Sequence, residues 1–99
     1  MSTRSKGRRN ENRTRALLEA EGWLVEQVKG SSKWNASVDF FGLFDIIAVK
    51  PNDILWVQVK TNRNASPHDR QLISSFQAPG KKLIYVWYDR QSNPRIHTP

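Results

Sequence analysis

The segment FDIIAVKPNDILWVQVK, residues 44–60, decides the fold of this chain. It carries two runs of mostly apolar residues, 43–49 and 54–60, on either side of the polar stretch Lys50-Pro51-Asn52-Asp53. Proline, asparagine and aspartate favour turns, whereas β-branched and aromatic residues favour strands. The segment therefore predicts an antiparallel hairpin that turns at residues 50–53.

The expected register of this hairpin brings polar side chains together at the end away from the turn. If the strands close between Val49 and Ile54, Asp45 lies opposite Gln58. Lys60 shares the face of Gln58 because side chains alternate along a strand. The Cβ atoms of an opposed pair lie about 5 Å apart, so a carboxylate, an amide and an ammonium group are expected to converge there. The other face is expected to be apolar and to carry Phe44, Ile46, Ala48, Leu55, Val57 and Val59.

A helix and a strand are predicted before the hairpin. Asn10 is expected to be the N-cap of a helix over residues 11–21, which are good helix formers, and Gly22 is expected to end it. Glu11 lies at the border of the helix face that is expected to pack against the core. Residues 23–28 then predict the first strand.

A second helix and a last strand are predicted after the hairpin. Ser66 as N-cap and Pro67 as the first helical residue predict a helix that ends at residues 78–80. Residues 83–88 predict a strand. The apolar side chains that this second helix is expected to bury are Leu72, Ile73 and Phe76.

The predicted order of elements is αβββαβ. A right-handed crossover through the second helix adds a parallel strand to the antiparallel hairpin. The sequence therefore predicts an α/β fold with a mixed central sheet flanked by helices. Residues 1–9 are expected to form a flexible basic arm, residues 10–88 a single domain, and residues 89–99 a polar tail.

The chain is strongly basic, with a formal net charge of +7 over 99 residues. Such an excess indicates an anionic partner, most often nucleic acid, although a basic surface that serves only solubility is the alternative. The cationic residues expected to contact DNA phosphates are Arg4, Lys6, Arg8, Arg9, Arg13, Lys33 and Arg63.

Several classes of site are excluded by composition. The chain has no cysteine, so it has neither disulfides nor thiolate metal sites. His68 and His97 are too far apart in sequence to indicate a zinc site. The chain also lacks an apolar run long enough for a membrane span and an apolar segment typical of a secretory signal, so we expect a cytoplasmic protein.

The convergent polar side chains fit a divalent cation site beside a phosphate. Mg²⁺ prefers oxygen ligands and takes only one or two protein carboxylates. Asp45 is expected to be the main ligand and Glu11 the second, with the Gln58 amide oxygen and the Val59 carbonyl as further ligands. Lys60 is expected to orient the attacking water or to stabilise charge on the phosphate. The alternative is a cross-strand ion pair with a polar neighbour, which is common at sheet ends.

The spacing of these residues resembles that of a nuclease superfamily. Asp45, followed thirteen residues later by Gln58-Val59-Lys60, is similar to the signature of the PD-(D/E)xK nucleases, whose common core has the αβββαβ order. The segment KGRRNENRTRALLEAEGWLV, residues 6–25, resembles the opening of archaeal-type Holliday junction resolvases. The resemblance implies a restriction-endonuclease-like core in which Glu11, Asp45, Gln58 and Lys60 are catalytic.

Further residues are expected around this site. Ser31 or Ser32 resembles the active-site serine of the resolvases, and Gln71 lies where many relatives have a glutamine near the site. Asp39 is a candidate to orient Lys60 or a water, with local backbone hydrogen bonding as the alternative.

The chain departs from the superfamily pattern at two positions. Phe44 replaces the proline of the signature, and Gln58 replaces the usual acid, as in the VRR-NUC branch. One fewer negative charge weakens the expected affinity for the cation, so activity is expected to need high Mg²⁺, with Mn²⁺ as a substitute.

The resemblance implies a Mg²⁺-dependent DNA endonuclease that resolves Holliday junctions. Two symmetric cuts in branched DNA require a homodimer. The alternatives are a VRR-NUC-type nuclease of flaps, nicks or branched DNA, and a DNA-binding module that has lost catalysis.

Overall fold

The computed structural model describes residues 3–27 and 40–99, with side chains described from residue 7 onward within these ranges. No helix within these ranges is long and apolar enough to cross a membrane. The elements, in chain order, are α1 (Thr3–Ala20), β1 (Leu24–Gln27), β2 (Ile46–Lys50), β3 (Asp53–Thr61), α2 (Pro67–Ser75), β4 (Lys81–Trp87) and β5 (Arg95–His97).

The strands form one sheet in the order β1-β2-β3-β4-β5. The β1–β2, β2–β3 and β4–β5 pairs are antiparallel, whereas β3 and β4 are parallel. The crossover through α2 therefore adds a parallel strand to the hairpin, as predicted. The predicted α/β class with a mixed sheet is confirmed.

The register of the β2–β3 hairpin is the one predicted. Val49 pairs with Ile54, and Ile47 with Trp56. The regular ladder ends at the pair formed by Ile46 and Val57. This register directs the apolar side chains of the two strands to opposite faces, where two separate core clusters form.

The sheet separates two hydrophobic layers. The layer on the α1 side contains buried Leu18, Val25, Ile46, Ala48, Leu55, Val57 and Tyr85. The layer on the α2 side contains buried Phe44, Trp56, Ala65, Ile73, Ile84 and Val86. Both faces of the sheet are therefore covered, and polar side chains have room only near the strand ends.

Two expectations about the apolar side chains are wrong. Phe44 packs on the α2 side and not with Ile46, because β2 begins at Ile46 and the strand alternation does not extend back to residue 44. Phe44 forms instead an isolated bridge with Phe40. Leu72 is 43% exposed, since α2 buries one narrow stripe in which Ile73 is completely covered.

The first helix begins at Thr3, so the prediction that Asn10 is its N-cap is wrong. Arginine and lysine are good helix formers, and they let the helix extend through most of the segment expected as an arm. Asn10 is buried, and its side chain donates a hydrogen bond to Thr61 Oγ1 at 2.8 Å. The predicted start of α2 is confirmed, because Ser66 Oγ accepts a hydrogen bond from the Asp69 backbone N–H. The predicted end at residues 78–80 is wrong, because α2 ends at Ser75 and Phe76 is its C-cap in an extended conformation.

The end of the chain adds a strand that the sequence pattern did not predict. Within the segment expected as a polar tail, β5 pairs with β4 through Ile84–His97, Tyr85–Ile96 and Val86–Arg95. Its central side chain, Ile96, is 52% exposed, so β5 contributes backbone hydrogen bonds more than apolar burial.

Candidate functional site

Asp45 lies just beyond the β2 ladder and bonds to β3 at two points. Its backbone N–H donates to the Val57 carbonyl at 2.9 Å, and its Oδ2 accepts from the Val59 N–H at 2.7 Å. These two bonds, to the residues on either side of Gln58, fix the Asp45 carboxylate at the strand end. A carboxylate has about four lone-pair positions, so the bond to Val59 is compatible with further coordination.

Gln58 carries an unsatisfied polar atom at the same place. The residue is 8% exposed, and its Oε1 is buried with no hydrogen-bond partner in the part of the chain that the structure describes. Leaving a buried acceptor unpaired costs about 1–3 kcal/mol. An amide oxygen of this kind is accounted for by a bound cation or an ordered water.

Lys60 follows on the same face of β3. Strand alternation places Trp56, Gln58 and Lys60 on the side of the sheet that α2 covers. Lys60 is half-buried and pairs in register with Val86 of β4. The structure thus brings Asp45, Gln58 and Lys60 to one end of the β2–β3 pair, as the hairpin register predicts.

Helix α1, which carries Glu11, is anchored at this end of the sheet from the opposite layer. Asn10 beside it bonds to Thr61 of β3, and Asn12 Oδ1 accepts from Gln27 Nε2 of β1 at 2.9 Å. These two bonds hold α1 across the strand ends, with half-buried Glu11 between them. Because α1 lies on the face opposite to Gln58, the contribution of Glu11 to the same site stays a prediction.

The acceptor atoms described at this strand end are oxygens. Within residues 3–27 and 40–99 there is no group of three or more histidine, cysteine, aspartate or glutamate side chains that could hold a metal. The carboxylate of Asp45 and the amide oxygen of Gln58 are the kinds of oxygen that Mg²⁺ accepts while it keeps several waters.

Some predicted site residues fall outside this description. Ser31, Ser32, Lys33 and Asp39 lie outside the described residues, as do the side chains of Arg4 and Lys6. Gln71 is exposed in α2, and its role near the site stays a prediction, as does that of the Val59 carbonyl.

The remaining predicted DNA contacts differ in how firmly they are held. Arg8, Arg9 and Arg63 are exposed. Arg13 is half-buried, and its guanidinium carbon lies 4.0 Å from the centre of the Trp87 ring. Such a cation–π contact holds the side chain in one orientation while leaving its N–H groups able to bind an anion.

Sequence reasoning missed a clamp between the ends of β3 and β4. Asn62 Oδ1 accepts from the Asp89 N–H at 2.9 Å, and Asn62 Nδ2 donates to Asp89 Oδ2 at 3.1 Å. The Asn62 N–H also donates to the Trp87 carbonyl at 2.8 Å. The only sequence signal is an asparagine directly after the β3 run, and its positive φ of 62° is one that asparagine tolerates well.

Comparison with known proteins supports the fold. The chain is similar to a solved structure of Hjc from Archaeoglobus fulgidus, a Holliday junction resolvase from an archaeal hyperthermophile. The TM-score is 0.69 and the identity 19%, over 93% of this chain and 76% of that chain. No protein-family model and no curated protein matches the sequence. The likeness shows the restriction-endonuclease-like fold, and it confirms the predicted fold class.

Proposed function

We propose that this protein is a Mg²⁺-dependent DNA endonuclease that resolves Holliday junctions. The observation that carries the proposal is the buried Oε1 of Gln58, which has no hydrogen-bond partner among the described residues, near the fixed carboxylate of Asp45. Lys60, on the same strand and face, adds a cation where a phosphate would lie. The solved structure of similar fold is that of a Holliday junction resolvase, which favours the same activity here.

The residues have distinct roles in this proposal. Asp45, Gln58 and Glu11 would hold the cation, which supplies Lewis acidity and activates water for attack on the phosphodiester. The hydrogen bond from the Val59 N–H keeps the Asp45 carboxylate in its orientation. Lys60 orients the attacking water and stabilises the negative charge that develops on the phosphate.

The glutamine sets the metal requirement. An amide oxygen is a neutral ligand, so the site holds a cation less tightly than one with a third carboxylate. We therefore propose that activity needs high Mg²⁺ and that Mn²⁺ can replace it.

The substrate and the assembly follow from charge and symmetry. The net charge of +7 favours an anionic polymer, and exposed Arg8, Arg9 and Arg63 can reach its phosphates. Resolution of a four-way junction needs two symmetric cuts, so the proposal includes a homodimer with two-fold symmetry.

A cleavage assay tests the proposal directly. Labelled four-way junction, flap, nicked duplex and linear duplex are incubated with Mg²⁺, Mn²⁺ or EDTA. A resolvase makes paired nicks across the junction and spares the linear duplex. Preferred cutting of flaps or nicks would indicate a VRR-NUC-type nuclease, and DNA retardation without cleavage in any metal would indicate a binding module.

Two matched variants separate catalysis from folding. Asp45→Asn should retain DNA binding and lose cleavage by at least about 100-fold, because a preorganised charged group is removed. Asp53→Asn is the control, since this exposed acid of the same hairpin lies at the turn and accepts only a local bond from Ile54 N–H. Circular dichroism should show both variants folded. Normal cleavage by Asp45→Asn would exclude the proposed site.

A further inference from the structure

A groove of about 130 Å³ lies between α1 and the segment that follows β4. We call it the arginine groove; its lining residues are Arg9, Asn10, Arg13, Tyr88, Asp89, Arg90 and Gln91. The groove brings three guanidinium groups together with a single carboxylate, so its formal charge is 3 − 1 = +2. A planar guanidinium group can donate two parallel hydrogen bonds to two oxygens of one phosphate, so a phosphate group is the ligand that fits this groove.

The Arg13 side chain is held in position before any ligand binds, and the turn that carries Arg90 is anchored. Arg13 is stacked on the Trp87 ring at 4.0 Å, and its Nη1 donates to Asn10 Oδ1 at 3.3 Å. Arg90 has a φ of 70°, which is uncommon for a residue with a Cβ. The turn that carries it is tied to the end of β3 by the Asn62–Asp89 clamp. Less side-chain and loop freedom is therefore lost on binding.

The arginine groove lies near the candidate cation site. Lys60 pairs with Val86, and the groove begins at Tyr88 on the neighbouring strand end. Neighbouring strands lie about 4.8 Å apart and a residue advances about 3.3 Å, which places the backbone of Tyr88 roughly 8 Å from that of Lys60. The groove can therefore contact the same DNA molecule as the candidate cation site.

We propose that the arginine groove binds a backbone phosphate of the DNA, close to the phosphate that is cut. The identity of the ligand as DNA rests on the proposed function. Arg9, Arg13 and Arg90 are positioning residues here, because they hold the strand in register and touch no reacting atom. Their loss should weaken DNA binding and raise KM, while kcat at saturating DNA stays near that of the wild type.

Substitution of two exposed arginines tests this binding. The double variant Arg9→Gln/Arg90→Asn removes two cations, and asparagine tolerates the positive φ of position 90. The control is Arg15→Gln, which also removes a charge from α1 but at a position that does not line the groove, where Arg15 pairs with Glu19 at 3.4 Å. Binding of labelled junction is measured in EDTA over a range of salt. The double variant should bind at least about tenfold more weakly, with a salt slope lower by about 0.9, as for one lost phosphate contact.

A phosphate-by-phosphate scan locates the contact. Each phosphate near the cut is replaced in turn by a neutral methylphosphonate. In the wild type one replacement near the cut should weaken binding about tenfold. In the double variant the same replacement should have a much smaller effect, because only Arg13 of the three groove arginines remains.

The outcomes distinguish this proposal from the endonuclease. If the double variant binds DNA with the affinity and salt slope of Arg15→Gln, the arginine groove is no phosphate site, whatever the cleavage assay shows. If the groove variants weaken binding but the wild type cuts no DNA in any metal, the groove stands and the endonuclease is wrong. If the wild type does not bind DNA at all, both are overturned.

Discussion

Replacement of Gln58 by glutamate changes the electrostatics of the candidate site without changing its shape. Glutamine and glutamate have nearly the same size, so the packing around position 58 should be retained. The variant places a second carboxylate beside Asp45, and both positions are less than one tenth exposed. Without a cation the two charges repel each other, and with a cation both attract it.

The size of the repulsion follows from the hairpin geometry. Carboxylates about 5 Å apart repel by roughly 3 kcal/mol at an effective dielectric constant of about 20. Lys60 on the same face offsets part of this. We expect Gln58→Glu to lower the free energy of unfolding in EDTA by about 1–3 kcal/mol. A cation at about 100 times its dissociation constant should return about 2.7 kcal/mol.

Urea denaturation in EDTA and in Mn²⁺ measures both effects. The midpoint of Gln58→Glu should fall below that of the wild type in EDTA and move up strongly with Mn²⁺. The control is Gln77→Glu, which adds the same charge at an exposed position after α2 and should respond little to the metal. Equal stability of Gln58→Glu and wild type in EDTA, together with no response to Mn²⁺, would refute the reasoning.

Three further predictions concern the fold. Gly80→Ala should destabilise by more than about 2 kcal/mol, because the φ is 97° and the added Cβ would clash with the backbone carbonyl oxygen of Ile54. Gly7→Ala, in open space on a helix, should stabilise by up to about 1 kcal/mol, and equal urea midpoints of the two variants would contradict this. Trp87→Phe removes the buried hydrogen bond from the indole N–H to Thr14 Oγ1 at 2.7 Å, so the free energy of unfolding should fall by about 1–2 kcal/mol in the same assay. An unchanged urea midpoint would show that this bond does not stabilise the fold. Burial raises the pKa of Tyr85, and the nearby carboxylate of Glu21 adds a smaller effect in the same direction. As the pH rises, the unfolded state therefore releases this proton before the folded state does. The free energy of unfolding of the wild type should fall as the pH rises above about 10. Tyr85→Phe should show a shallower loss, and identical pH profiles would contradict the assignment.

The hairpin was predictable because two independent signals agree there. The polar turn sets the closing pair Val49–Ile54, and apolar alternation admits no other register without exposing the core. The meeting of Asp45 with the end of β3 follows from that register. The hydrogen bond from the Val59 N–H to the Asp45 carboxylate does not follow, because a side chain that replaces a ladder bond leaves no pattern in the sequence.

The helix start was missed because local signals conflict. Asn10 is a good N-cap residue, yet the basic residues before it are also good helix formers. The competition is decided by a tertiary contact, the bond from Asn10 to Thr61 of β3. The sequence of this segment alone gives no sign of that bond.

The last strand and the arginine groove depend on contacts distant in sequence. Residues 95–97 are too short for a pattern, and their pairing with β4 decides their conformation. Arg13 and Arg90 both line the groove, and no rule of sequence spacing predicts that they lie close together. The charge of α1 indicates by itself that this helix binds an anion. That Arg90 lies beside α1 is visible only in the folded structure.

The central claim is that the open end of β2 and β3 holds a divalent cation, and a crystal soaked in Mn²⁺ tests it most directly. Anomalous difference density should show an ion bound by the Asp45 carboxylate and Gln58 Oε1 at about 2.0–2.3 Å. An ion bound elsewhere, with the Gln58 amide oxygen hydrogen-bonded to the protein, would contradict the account.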